Sequence, residues 1–396
     1  MPPKTADFAA SNSPSFIDKI NLPMPIKFII NTFGSAGDVH PFIALGRQLR
    51  ERGHDVVYIT SAKFKPLIER EGIRCRALGT VEHYDEMIRD PRLWDPRVAL
   101  GVILEGIAAS FPNSVAAIRE EVAGHDGKCC VVGSSLSFAA RAVSQRDGLA
   151  MASIHLAPTM FWSSEAPPLF APEAAFLQRA PRGIRPWLFW LIDKLIHWRF
   201  ARPLNREYRR MGLPAPSRPF GRDIHSPELV VGMFPEWFAP AQRDWPSPLL
   251  LPGFPLFAES GAAEEGLPGE LSTFLKAGEP PVVFAPGSAN VQGHHFFAEA
   301  AKACCELGVR GVFVTPARET IPMPLSPTIH HVEYVDFPRL FPHCAAVVHH
   351  GGIGTLAQAL AAGKPHLVMP MAHDQFDNAE RLARLGVAEV LEARRW

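Results

Sequence analysis

The chain has 396 residues, 47% of them apolar and 20% charged, a balance that fits a globular protein long enough for two domains. Lysine plus arginine number 40 and so do aspartate plus glutamate, which leaves no basic excess for a nucleic acid to meet. Six cysteines show no C-x-x-C spacing and read as small buried hydrophobes of a reducing compartment.

Residues 1–24 lack the continuous apolar core of a signal peptide and are expected to form a flexible tail. No run reaches the ~18 apolar residues of a membrane-spanning helix, so a cytoplasmic protein is expected. From residue 25 a strand–helix rhythm sets in. Residues 26–31 are an apolar run bounded by Pro25 and Gly34, as a buried strand would be. Residues 41–52 carry apolar side chains at helical spacing and stop at Gly53. Strands follow at 56–60, 74–78, 130–133 and 152–156, with a helix ending near Gly72. Cys129 and Cys130 fall on one of these strands and should point to opposite faces. Such βαβα alternation predicts an α/β fold, a doubly wound parallel sheet.

Arg185–Phe200 places Trp187, Trp190 and Trp198 among leucines and basic residues, apolar around most of a helix's circumference. It predicts a helix packed over the domain, a lipophilic acceptor entrance, or peripheral contact with the inner membrane through residues 187–200. Between 235 and 281 the periodic runs give way to prolines at 240, 246, 248, 252, 255 and 268. The expected division is an N-terminal domain at 25–240, a linker at 241–280 and a C-terminal domain at 281–396. The rhythm then restarts, with strands at 282–285, 311–315, 330–332, 346–349, 366–369 and 388–391 and a helix at 296–307. Two such domains enclose a cleft between the carboxyl ends of their strands, where ligands of α/β sheets bind.

The richest stretch is 345–378: a buried strand, His349-His350, the glycine turn Gly351-Gly352-Ile353-Gly354-Thr355, a helix, a second strand, then Asp374-Gln375. Glycines at a helix N-terminus let a diphosphate approach unpaired N–H groups and the positive end of the helix dipole. His349 and His350 add donors aimed at the same anion. On this reading His350, Gly352, Gly354 and Thr355 hold a diphosphate, and Asp374 with Gln375 clamps sugar hydroxyls. The same residues fit the dinucleotide pattern G-x-G-x-x-A with Asp374 on a ribose, although the histidine pair is no part of that pattern. A third reading is structural only, a tight turn with His349 satisfied in the core. Pro286-Gly287-Ser288 offers a hydroxyl and amides to phosphate, and Tyr334-Val335 a wall for a base.

In the first domain the loop Gly34-Ser35-Ala36-Gly37-Asp38-Val39-His40-Pro41 follows the first strand. Asp38 suits a general base for a hydroxyl nucleophile, His40 is the alternative, and both fit as helix caps ahead of Pro41. Gly34 and Ser35 are assigned to the donor side of the site. No D-x-D or H-x-x-E-H occurs, so no metal and no cofactor beyond a nucleotide co-substrate is expected. The absence of G-x-S-x-G argues against an α/β serine hydrolase.

Together these motifs resemble the inverting glycosyltransferases of the GT-B fold, the family of macrolide, sterol and plant secondary-metabolite transferases. The likeness runs over residues 26–391. It implies two Rossmann-like domains facing a central cleft, Asp38 as base, the 350–355 turn on the diphosphate and Asp374-Gln375 on the sugar. A narrower resemblance, to the catalytic subunit of bacterial rhamnolipid rhamnosyltransferase, rests on residues 34–39, 90–96, 234–240, 244–246, 253–257 and 373–382. It implies dTDP-L-rhamnose as donor, a hydroxy-fatty-acid dimer as acceptor and a partner subunit that supplies it. The alternative is UDP-glucose onto a small aromatic, polyketide or terpenoid alcohol. Rivals of another class are a sugar-nucleotide epimerase and a non-catalytic binding subunit. The family's last helices usually follow the final strand of the second domain. Here that strand precedes only five residues, so a shortened domain or a different closure is expected.

Overall fold

The computed structural model describes residues 25–94, 98–260, 266–287 and 293–392. The expected tail and Ser288 lie outside these residues. Two parallel sheets organise the chain. The first joins β1 (Lys27–Asn31), β2 (Asp55–Ser61), β3 (Arg74–Leu78), β4 (Cys129–Ser134), β5 (Ala150–His155), β6 (Leu229–Gly232) and β7 (Leu249–Leu250) in the order β3-β2-β1-β4-β5-β6-β7. The second joins β8 (Val282–Ala285), β9 (Gly311–Val314), β10 (Ile329–Val332), β11 (Ala346–His349), β12 (His366–Val368) and β13 (Ala388–Val390) in the order β10-β9-β8-β11-β12-β13. Strand order reverses between β1 and β4 and again between β8 and β11. Loops leaving those strands therefore diverge and open a crevice at each switch point.

Both faces of the first sheet are covered, as an all-parallel sheet requires. Along β1, Ile29 packs into one core with Val57 and Val131, while its neighbour Ile30 joins Phe42, Tyr58 and Val132 on the other face. One flank of this core is α2 (Ala99–Ala123), the only described helix long and apolar enough to cross a membrane, which corrects the expectation that no such run exists. Its Leu104, Ile107, Phe111 and Ile118 are buried in the core, and its Glu121 pairs with Lys27 at 2.8 Å.

Two sequence expectations need correction. The helix expected from Pro41 is α1 (Ala36–Glu51), so Asp38 and His40 lie in its opening turns and Pro41 inside it. Ser35 at the N-cap and Asp38 at the third position make a reciprocal cap that starts the helix early. Pro41 is tolerated so near the start because few intrahelical bonds precede it. The expected linker 241–280 is also divided between the domains. Leu249–Leu250 is the edge strand β7, paired with β6 through Val230 and Leu249. Farther on, α4 (Gly269–Lys276) packs Leu271, Phe274 and Leu275 into the second domain's core. A two-residue strand among prolines carries no readable period, which is why it was hidden.

The domains meet through a mixed apolar cluster. Phe161, Phe234, Phe238 and Trp245 of the first pack with Leu356, Val368, Ala379 and Leu382 of the second. Polar ties flank it: Leu169 N donates to Asp377 Oδ1 at 3.0 Å and Gln178 Nε2 to Glu380 Oε2 at 2.8 Å. This contact sets the two switch points against one another.

Candidate functional site

The chain leaves β1 through Gly34, whose φ of +124° is open to glycine and not to other residues. The turn aims Asp38 back over itself. Its Oδ2 accepts the Ser35 amide at 2.8 Å and the Ser35 hydroxyl at 3.1 Å. A Cβ added at Gly34 would stand 2.2 Å from that oxygen, so glycine is required for the carboxylate to sit there. Burial is the largest influence on this acid and raises its pKa from 3.8 to about 6. The Ser35 hydrogen bonds pull the other way, the Asp374 charge pushes it up and His373 opposes that push. His40, the alternative base, lies with its ring 4.8 Å from Phe257, and burial lowers its pKa.

Across the crevice the chain leaves β11 at His349 and turns through Gly351, whose φ is +91°. The turn is tight: a Cβ on Gly351 would come within 3.0 Å of the Gln375 carbonyl. The His350 ring is wedged between two glycines. A Cβ on Gly287 would stand 2.8 Å from it and one on Gly352 2.4 Å. Burial lowers the His350 pKa to about 4, against the Ala285 carbonyl, so the ring is neutral. Its enclosed Nδ1 makes no hydrogen bond within the protein. The helix α5 (Ile353–Ala361) begins here with Gly352 as N-cap and no side chain capping its first turn. Open space lies over Gly354, and Thr355 is nearly buried behind it. Unspent amides, a helix dipole and a neutral imidazole thus converge on one small volume, which suits a diphosphate.

His349 does not join them. It is fully buried, its Nδ1 accepts the Gly351 amide at 3.0 Å, and its Nε2 meets His366 Nδ1 at 2.9 Å. Strand alternation sends neighbours to opposite sides, so only one of the pair faces the turn.

The next loop carries Asp374, whose pKa burial raises from 3.8 to about 6, and whose Oδ2 accepts Asn378 Nδ2 at 2.7 Å. Asn378 also donates to the Gly351 carbonyl at 2.9 Å and so ties the acid to the glycine turn. Gln375 differs from its expected role. Its side-chain oxygen accepts the Met371 and Ala372 amides at 2.8 and 3.0 Å, shaping the loop. The Val335 side chain is buried in the core with Leu340 and Phe341. Tyr334 is exposed, and its hydroxyl donates to Glu259 at 2.6 Å.

The structure brings in residues that sequence reasoning passed over. Asn378 is one, and the left-handed His373, φ 58°, beside Asp38 is another. Ser135, leaving β4 at the first switch point, meets His155 Nδ1 at 2.8 Å, and His155 Nε2 meets His225 Nδ1 at 2.9 Å. Their strand-end positions were legible; their contacts join residues 20 and 70 apart. Among the described residues, no group of three or more His, Cys, Asp or Glu side chains is placed to hold a metal ion.

Two family profiles match the chain, one in each domain. Residues 28–117 match the glycosyltransferase family 28 N-terminal domain, and 312–394 match the erythromycin biosynthesis protein CIII-like C-terminal domain. The chain is 29% identical over 378 residues to O-mycaminosyltylonolide 6-deoxyallosyltransferase of Streptomyces fradiae, covering 92% of this chain and 85% of that one. Its fold is similar to the glycotransferase of kitacinnamycin, with a TM-score of 0.66 at 20% identity over 93% of this chain and 87% of that one. It is also similar to the spinosyn rhamnosyltransferase complexed with thymidine diphosphate, with a TM-score of 0.61 at 17% identity over 93% and 86%.

Proposed function

We propose that this protein is a glycosyltransferase of the GT-B fold that moves a sugar from a nucleoside-diphosphate donor to a hydroxyl of a lipophilic acceptor, inverting the anomeric carbon. The observation that carries this reading is the approach of two groups from different domains. Asp38, after β1, feels the charges of Asp374 and His373, after β12. A base on one wall thus faces a sugar clamp on the other, with the glycine turn and α5 beside the clamp.

In the proposed reaction Asp38 takes the proton of the acceptor hydroxyl as its oxygen attacks the anomeric carbon. The bond to the diphosphate breaks, and its electron pair leaves on the phosphate oxygen. A base with a pKa near the working pH combines a populated ionised form with useful basicity, and burial puts Asp38 there. Charge developing on the diphosphate is met by the α5 first-turn amides and the region of Thr355, fixed donors that need no reorganisation, with the His350 ring beside them. Those donors take the part a divalent metal would otherwise play. Asp374, oriented by Asn378, accepts hydroxyls of the sugar.

The favoured donor is dTDP-L-rhamnose and the favoured acceptor a hydroxy-fatty-acid dimer, following the narrower resemblance in residues 34–39 and 373–382. A polyketide alcohol as acceptor is the second reading, favoured by the relative from Streptomyces fradiae, which acts on O-mycaminosyltylonolide.

The test is a thermal-shift series with dTDP, UDP, GDP, NAD and the matching nucleotide sugars, each with and without EDTA. Selective stabilisation by dTDP or its sugar conjugates, unchanged by EDTA, is expected. Stabilisation by NAD alone would overturn the reading and restore the dinucleotide interpretation of the glycine turn.

A further inference from the structure

The helix α3 (Arg185–Phe200) sits on the first domain by one face only. Phe189 and Asp193 are buried beneath it, and Ile196 with Phe200 packs on the core around Phe111 and Phe138. Asp193 fixes the seat, its carboxylate accepting the Phe220 and Gly221 amides at 3.3 and 3.1 Å. The opposite face carries Trp187, Trp190, Leu191, Lys194, Leu195 and Trp198, spaced three, one, three, one and three residues apart, which is a single stripe on a helix. Trp187, Trp190, Leu195 and Trp198 are 58%, 44%, 53% and 67% exposed. Phe176 and Ile184, just before the helix, are exposed as well. Scattered exposed apolar residues need no explanation, but a contiguous aromatic stripe marks a contact surface.

Charge selects the occupant. Between residues 176 and 210 stand Arg179, Arg182, Arg185, Lys194, Arg199, Arg202, Arg206, Arg209 and Arg210, in a protein whose net charge is zero. The same stretch has two acids, Asp193 and Glu207, and both are buried. Glu207 is spent on Arg210 at 2.7 Å. The exposed surface of this segment is therefore basic and aromatic with no exposed carboxylate. Tryptophan rings favour the level of lipid headgroups, and basic side chains beside them meet anionic headgroups.

We propose that α3 docks the first domain on an anionic phospholipid bilayer, with the tryptophan stripe seated among the headgroups and the flanking arginines on the phosphates. This contact is independent of which acceptor the cleft takes. It places the domain that would bind a lipophilic acceptor where such a molecule partitions.

The experiment is flotation of the full chain with vesicles of phosphatidylcholine alone and of phosphatidylcholine mixed with phosphatidylglycerol. The protein is expected to float with the mixed vesicles and to stay in solution with the neutral ones. Trp187→Ser with Trp198→Ser should abolish flotation while leaving the melting temperature unchanged, since both rings are exposed. Lys194→Ser and Arg199→Ser should each weaken it by about fivefold, and about 0.5 M salt should weaken it further. Trp237→Ser, an exposed tryptophan elsewhere, serves as the control and should float as before. Failure of the unaltered protein to float with either vesicle overturns the proposal, as does equal loss in the Trp237 control. Concentration-dependent self-association removed by the α3 double variant would also overturn it, assigning the stripe to a second copy of the chain.

Discussion

The Ser35 amide and hydroxyl both donate to Oδ2 of Asp38, at 2.8 and 3.1 Å, and Gly34 leaves the space in which they meet. On the proposed reading, capping and chemistry are joined in one side chain. Gly34→Ala would bring a Cβ against Oδ2 at a φ of +124°. We expect it to cost about 1–3 kcal/mol of stability and to displace the base. Denaturant titration and turnover would both register the change, and a fully active, fully stable Gly34→Ala protein would contradict the assignment.

Asp38→Asn separates the two roles. The amide keeps an oxygen to accept from Ser35 but cannot take a proton at neutral pH. Turnover is expected to fall by about 10²–10⁴-fold. The melting temperature at about pH 8 should be no lower than that of the unaltered protein, because a buried charge has been removed. Undiminished turnover in Asp38→Asn would move the base elsewhere, with His40 next in line.

The pH profile of the site follows from its two raised acids. Asp38 and Asp374 both go from 3.8 to about 6 on burial. The Asp374 charge adds to the upward push on Asp38, after burial. A base acts when ionised, so kcat/KM should rise with pH through about 6 and level above it. Stability runs the other way. Below 3.8 these groups are protonated in both states, and the benefit of holding protons in the fold is lost as pH rises through about 6. A rate that peaks below pH 5 (about a unit under that value) would contradict the base assignment.

His350 is expected to act on the leaving group and not on the fold. It is wedged between Gly287 and Gly352 with an unpartnered Nδ1. His350→Ala should lower kcat by about 10²-fold while weakening dTDP binding less. Steady-state kinetics alongside calorimetric titration of dTDP would separate these effects. Equal losses in both would make it a ground-state binding residue.

One ion pair carries part of the domain contact. Asp377 is fully buried, pairs with Arg381 at 2.6 Å and accepts the Leu169 amide from the other domain. Arg381→Met leaves that charge uncompensated and should destabilise by about 3–5 kcal/mol. Adding Asp377→Asn should restore much of the loss, since the amide can still accept from Leu169. Denaturant curves of the single and double variants test this, and a single variant as stable as the parent would refute it.

Much of the architecture was legible in the chain. Apolar runs bounded by glycine and proline marked β8 and β11 to the residue, the expected 74–78 matched β3 as well, and most other strands came within two, because buried parallel strands are short and continuous in composition. Gly34, Asp38, the 350–355 turn and Asp374 were legible because glycine at a strand end and an acid near a helix start are local signals. The strand β6 and the edge strand β7 were not, the latter since two residues among prolines hold no period.

Local pattern also settled that the chain alternates strand and helix twice, that a glycine turn opens α5, and that three tryptophans share one helix. Tertiary structure alone decided the rest. It chose which of two adjacent histidines faces the turn, His350 outward and His349 onto His366, because side-chain direction depends on the strand's orientation in its sheet. It spent Gln375 on its own loop and Val335 on the core, and recruited Asn378 and Ser135. It also raised two carboxyl pKa values by burying them on facing walls. Those outcomes depend on contacts between residues far apart in the chain, and sequence spacing carries no distance between them.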